Sequence, residues 1–144
     1  MKLLIASVSV LALSLPWVAT AGPNYGCDAV NFGADVLEKM PNAKNLCRGV
    51  TEKNGVVYAH YIAEVETVKD RNVTIAFLNK DEKPMSRVTF EPMDDQSLML
   101  DKKATKYTDL RKGQKLDFWI ASDRWGLFAS PDGKEMKIVS VERL

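Results

Sequence analysis

Residues 56–78 read VVYAHYIAEVETVKDRNVTIAFL, and their alternation decides the fold. From Val56 to Val68 one set of positions carries Val57, Ala59, Tyr61, Ala63 and Val65. The other carries Tyr58, His60, Ile62, Glu64 and Glu66. Side chains on a strand point to opposite faces in turn, so a period of two predicts a long, bent strand. The charges gather on the second set, which leaves the first for the core. Lys69-Asp70-Arg71-Asn72 has the composition of a turn, and Val73, Ile75 and Phe77 resume the pattern on a second strand.

Downstream the same signals repeat. Asn79 to Pro84 predicts another turn, followed by a third strand with Val88 and Phe90 inward, ending at Pro92. Leu98 and Leu100 mark a short strand after Asp94-Asp95-Gln96. Tyr107 to Gln114 forms a turn that leads into a strand with Leu116, Phe118 and Ile120 on one face. A last strand runs from Met136 to Val141, with Ile138 and either Met136 or Ser140 inward. Short strands at regular turn spacing predict a mainly β fold, a small antiparallel barrel of five to six strands over residues 55–144.

Upstream, residues 28–40 (DAVNFGADVLEKM) are predicted as one helix. Asp28 would cap it, Val30, Ala34, Leu37 and Met40 would form its apolar stripe, and Pro41-Asn42 would stop it. Cys27 and Cys47 bracket this element. In an oxidising compartment an even pair predicts one disulfide, worth roughly 3 kcal/mol on the chain-entropy account. Free thiols are the alternative; a metal pair would need nearby ligands, and a redox pair would favour closer C-x-x-C spacing. Residues 22–54 are thus expected as a helix and disulfide segment that forms one domain with the barrel.

The first 21 residues carry an export pattern. Met1-Lys2 is a short basic start, LLIASVSVLALSL (3–15) is apolar, and Ala19-Thr20-Ala21 supplies small residues for cleavage. The apolar run is shorter than the roughly 20 residues of a membrane span. Asn24-Tyr25-Gly26 before Cys27 is not a lipoprotein signal. A soluble product in the periplasm, or secreted, is the expectation, with no membrane insertion after cleavage. Lys2 is the only charged residue removed with the leader, so the remainder holds 19 basic and 19 acidic residues. A nucleic-acid binder normally shows a basic excess, and none is present. Lys102-Lys103 and Arg111-Lys112 sit beside Asp101 and Asp109 and read as solvated faces.

From Gly55 to Val141 the chain resembles small periplasmic barrels of the OB-like kind. The resemblance rests on Gly55 leading into a long strand, the hairpin VTIAFLNKDEKPMSRVTF (73–90) and the turn-strand KYTDLRKGQKLDFWI (106–120). It implies an architecture and no active site, because such barrels serve many functions.

Chemistry is sparse. His60 is the one histidine, and no G-x-S-x-G motif accompanies it. The bland reading, a packed strand histidine, is preferred to a triad member. Met85, Met93, Met99 and Met136 lie in the β region, and thioethers bind Cu(I). In outline the chain is similar to periplasmic copper-carrying barrels that use Met, His and Trp, although their Trp-x-x-Met-x-Met run is missing. A metal site on His60, Met85, Met93 and Met99 is therefore the alternative to a cofactor-free protein, since scattered methionine is more often core filler. Asp94-Asp95 fits neither a calcium loop nor a paired-carboxylate cleft. Asn72-Val73-Thr74 matches a glycosylation sequon, a pattern common by chance.

The most unusual segment is Asp123-Arg124-Trp125-Gly126-Leu127-Phe128, with Trp119 on the face opposite Phe118. Either the 28–40 helix covers Trp119, or Trp119, Arg124, Trp125 and Tyr58 form a binding patch. Trp, Tyr and Arg dominate binding hot spots. The expectation is a non-enzymatic binding or interaction protein whose partner is an envelope protein or a glycan.

Overall fold

A computed structural model of the protein describes residues 26–144. The predicted leader, with Trp17, lies outside the described residues. The fold is mainly β, one antiparallel sheet of nine strands with two short helices. In chain order the strands are β1 (Gly49–Lys53), β2 (Val56–Lys69), β3 (Asn72–Leu78), β4 (Pro84–Glu91), β5 (Ser97–Leu100), β6 (Lys103–Lys106), β7 (Lys115–Ala121), β8 (Leu127–Phe128) and β9 (Glu135–Arg143).

Nine strands exceed the expected five to six because β1, β6 and the two-residue β8 lie outside the strands expected from the sequence, and tight hairpins account for the first two. Asn54-Gly55, Asp70-Arg71 and Asp101-Lys102 each have both residues at positive φ, between 49° and 79°. That is the backbone of a two-residue hairpin turn whose twist matches its flanking strands. Asn54-Gly55 thus joins β1 to β2, and Asp101-Lys102 joins β5 to β6. The expected division at 54/55 falls inside a hairpin, and β1 belongs to the sheet.

The strand pairings return on themselves. β2 pairs with β3, β3 with β4, β4 with β9, β9 with β8, β8 with β7, and β7 again with β2. β2 makes this ring because of its length. Residues 56–60 lie beside β1 and residues 63–69 beside β3 on one edge, while residues 58–64 pair with β7 on the other. Its register with β3 shifts between Val65 and Thr67. There Gly113, at φ 92°, donates its N–H to the Val65 carbonyl, and Val65 donates to Gln114, both at 2.8 Å. The turn before β7 is thereby fastened to the bend in β2. Arg48 fills the gap between β1 and β3: its Nη2 donates to the Asn79 carbonyl at 2.5 Å.

The alternation in β2 is as read. Ala59, Tyr61, Ala63 and Val65 are buried, and Val57 is half-buried. Val73, Ile75, Phe77, Val88, Phe90, Leu116, Phe118 and Ile120 join them in one core. Its centre is aromatic, with edge-on contacts from Tyr61 to Phe77 (5.7 Å), Phe77 to Phe118 (6.2 Å) and Phe90 to Phe118 (5.6 Å). Such pairs add roughly 0.5–1.5 kcal/mol beyond the area they bury. On β9, Met136 is the buried choice and Ser140 is exposed.

The single helix expected over 28–40 is corrected to two short pieces, and a further helix follows the expected stop at Pro41-Asn42. Residues Cys27–Ala29 form one 3-10 turn, α1 spans Ala34–Lys39 and α2 spans Ala43–Leu46. Gly33 is the reason. Its N–H donates to the Ser122 carbonyl at 2.7 Å, and a Cβ there would lie 2.8 Å from the Asp123 carbonyl oxygen. The chain is pressed onto the 122–123 backbone and becomes helical only beyond it. Asp28 makes no cap. Asp35 instead accepts from the N–H of Val36 (2.9 Å) and, across the chain, of Trp125 (2.7 Å). Leu37 is 41% exposed, whereas Val36 and Met40 are buried. With Ala43 and Leu46 they belong to the core that the strands enclose. The Cys27–Cys47 disulfide is formed, with Cα atoms 5.8 Å apart, and it brackets both helices.

Candidate functional site

The outer face of β2 and β7 carries the polar half of each alternating pattern. Cross-strand partners share a face, so the register sets Tyr58 by Ala121, His60 by Trp119, Ile62 by Asp117 and Glu64 by Lys115. β8 extends the face, because Phe128 stands opposite Trp119. Four rings meet there. His60 and Trp119 have centroids 5.0 Å apart, and Tyr58 meets Phe128 edge-on at 5.5 Å. Tyr58, His60 and Trp119 are half-buried, whereas Phe128 is only 4% exposed.

Polar groups frame the rings in hydrogen-bonded pairs. His60 Nε2 and Asp117 Oδ1 are 2.7 Å apart, both side chains about one-quarter exposed. Arg124 lies over the Phe128 ring, 5.4 Å from its centroid, and its Nη1 donates to Glu135 Oε2 at 2.9 Å. The bond to Glu135 raises the Arg124 pKa further above its ordinary value.

Of the four residues expected as a patch, Tyr58, Trp119 and Arg124 therefore converge on this face. Trp125 does not. Its N–H is held by Asp35, and it packs partly against the core in a groove between α1 and β9. Nor is Trp119 roofed by the expected helix: the buried side of α1 turns into the core, and Trp119 remains half-buried beside His60. Phe128 and Asp117 are members that sequence reasoning missed. Asp117 was legible, since Lys115, Asp117 and Trp119 alternate with Leu116 and Phe118.

The methionines disperse. Met85 is on β4, which pairs with neither β2 nor β7, and it packs on the core. Met93 is in the loop after β4. Met99 alone comes near His60, because β5 touches β7 at Met99 and Asp117. Among the described residues no three His, Cys, Asp or Glu side chains converge on one point. The His60 ring bonds to Asp117, and no hydroxyl or thiol bonds to it among the described residues. An Asp-His pair can polarise a nucleophile, but this arrangement presents none. No known protein family, curated protein or solved structure matches the chain.

Proposed function

We propose that the protein is an exported, non-enzymatic binding domain of the cell envelope, built as an OB-like barrel, and that it takes its partner on the Tyr58–Trp119 face. The ring of pairings, with β2 shared between β3 and β7, supports the OB-like reading. The disulfide supports an oxidising compartment. The observation that carries the binding reading is Trp119 itself. A large, partly exposed indole held outside the core, beside three other rings, is the kind of anchor that dominates binding energy.

The charge balance of the face selects the ligand class. Arg124 is matched by Glu135 and Lys115 by Glu82, and the His60 ring is bonded to Asp117, so no unpaired cation is presented to an anionic polymer. Flat rings framed by hydrogen-bonding groups suit a neutral glycan, whose C–H faces stack on aromatics while its hydroxyls bond to carboxylate and imidazole. A neutral N-acetylglucosamine tetramer titrated into the mature protein is expected to change tryptophan emission. Trp119→Ala is expected to weaken binding by about tenfold or more, equivalent to the loss of one hot-spot contact. Its melting temperature should stay within a few degrees, since the ring lies outside the core. Binding unchanged in Trp119→Ala would remove the face from the function. Failure of neutral glycans, alongside capture of one defined envelope protein that Trp119→Ala abolishes, would move the ligand class to protein.

A second reading rests on Met99, which the register sets beside the Asp117–His60 pair. A thioether next to an imidazole offers two ligands to Cu(I). Titration with Cu(I) is decisive: uptake at micromolar metal that Met99→Leu and His60→Ala both abolish supports it, and no uptake sinks it.

A further inference from the structure

Sheet edges left unpaired are recognition elements, because every second residue presents an N–H and a C=O that another extended chain can satisfy. β9 has such an edge. Residues 137–143 pair with β4 on one side, but β8 reaches only Glu135 and Met136 on the other. No other backbone bonds to residues 137–143 from that side among the described residues. Beside the edge runs a groove of about 510 Å³. Its walls are α1, through Glu38 and Lys39, and the Trp125 segment. Half-buried Trp125, Ile138 and Val141 supply apolar surface within it. Seven residues of strand extend for roughly 20 Å, at about 3.3 Å each.

We propose that this groove binds an extended peptide segment of another protein, added antiparallel to β9, with acidic residues at the segment's N-terminal end. An extended backbone is the chemistry that the free edge requires. All the pairings in this sheet are antiparallel, so the guest's N-terminal end lies at the Arg143 end of β9. Two cations, Lys39 and Arg143, stand there against one carboxylate, Glu38, and no ion pair joins either cation to any carboxylate among the described residues. Arg143 donates only to the Glu38 carbonyl, at a long 3.4 Å. At the opposite end Glu135 is already matched by Arg124. The antiparallel sheet thus sets the direction, and the charge asymmetry sets the acidic end. The strands at the two ends of the sheet order, β1 and β6, also have free edges, but over only five and four residues, and neither has Lys39 and Arg143 beside it.

The site is separate from the Tyr58–Trp119 face, and its test does not depend on that face. The probe is an N-acetylated, fluorescently labelled nonapeptide of two aspartates followed by alternating valine and threonine. Its control begins with two lysines. By fluorescence anisotropy the aspartate peptide is expected to bind mature protein about tenfold more tightly than the control, the gain of two partly exposed ion pairs. Val139→Pro should abolish binding of both. Val139 has no partner in the β4 ladder, where the register steps from Ile138 to Ser140, so proline there obstructs the free edge and spares the paired one. Lys39→Glu with Arg143→Glu should reverse the preference without touching the edge, which keeps the test independent of how well the proline variant folds. No binding of the aspartate peptide, equal binding of the two peptides, or a preference unchanged by the charge reversal would overturn the proposal. Self-association in sedimentation velocity that Val139→Pro abolishes would also overturn it, by assigning the groove to a second copy of this chain.

Discussion

Tyr61 is fully buried, and its hydroxyl donates to the Ala43 carbonyl at 2.8 Å, tying β2 to the first residue of α2. Burial raises its pKa above the ordinary value of 10.0. The folded state therefore holds the phenolic proton more tightly than the unfolded one. This contribution to stability is complete below pH about 10 and is lost as pH rises beyond it. Thermal melts of the protein should fall on the alkaline side. Tyr61→Phe should cost about 1 kcal/mol at neutral pH, the net worth of one hydrogen bond, and flatten that alkaline decline. An equally steep decline in the variant would assign it to other groups. Tyr61 was placed on the core face by alternation alone, whereas its partner was not legible. Strand period states which face a side chain takes, but a hydroxyl bonded to a carbonyl 18 residues away depends on where the helices come to rest. The same limit explains the candidate site. Tyr58, His60 and Trp119 follow from period two, but Trp125 was assigned to the same patch only because it is near in sequence. Its true neighbour, Asp35, is 90 residues away.

Turns decide the elements. Asn54-Gly55 is the strongest short hairpin signal in the chain, and recognising it would have found β1. Asp101-Lys102 was harder to read, because neither residue is glycine and β-branched or aromatic residues are few around it. Lys102 holds φ 62°, a conformation that strains a residue with a side chain. Lys102→Gly should relieve that strain against glycine's larger loss of freedom on folding, raising stability by roughly 0.5–1 kcal/mol in urea unfolding. No gain would mean that the β5–β6 hairpin is not part of the cooperative unit. Arg71, at φ 67°, is a less clean test because it also pairs with Asp94. The helices failed for a different reason. Apolar spacing over 28–40 was real, yet Gly33 must stay extended to lie against residues 122–123. That close approach, absent from any local pattern, cuts the helix to six residues and rotates Leu37 outward.

At the scale of the molecule, the Cys27–Cys47 bond closes the helical segment, and the Tyr61–Ala43 hydrogen bond and the contact of Gly33 and Asp35 with residues 122–125 hold it to the ring. Cys27→Ala with Cys47→Ala should lower stability by about 3 kcal/mol and the melting temperature by roughly 10 °C. An unchanged melting temperature would show that packing of Val36, Met40 and Leu46 suffices alone. The strand order has a further outcome for how the fold is assembled. Of the described strands β9 comes last in the chain, yet it stands between β4 and β8. A chain in which only the earlier strands have formed has no means of joining them into a circle. Its two arms, β2 to β4 on one side and β7 with β8 on the other, keep an open seam. Docking of β9 is therefore the step that closes the ring.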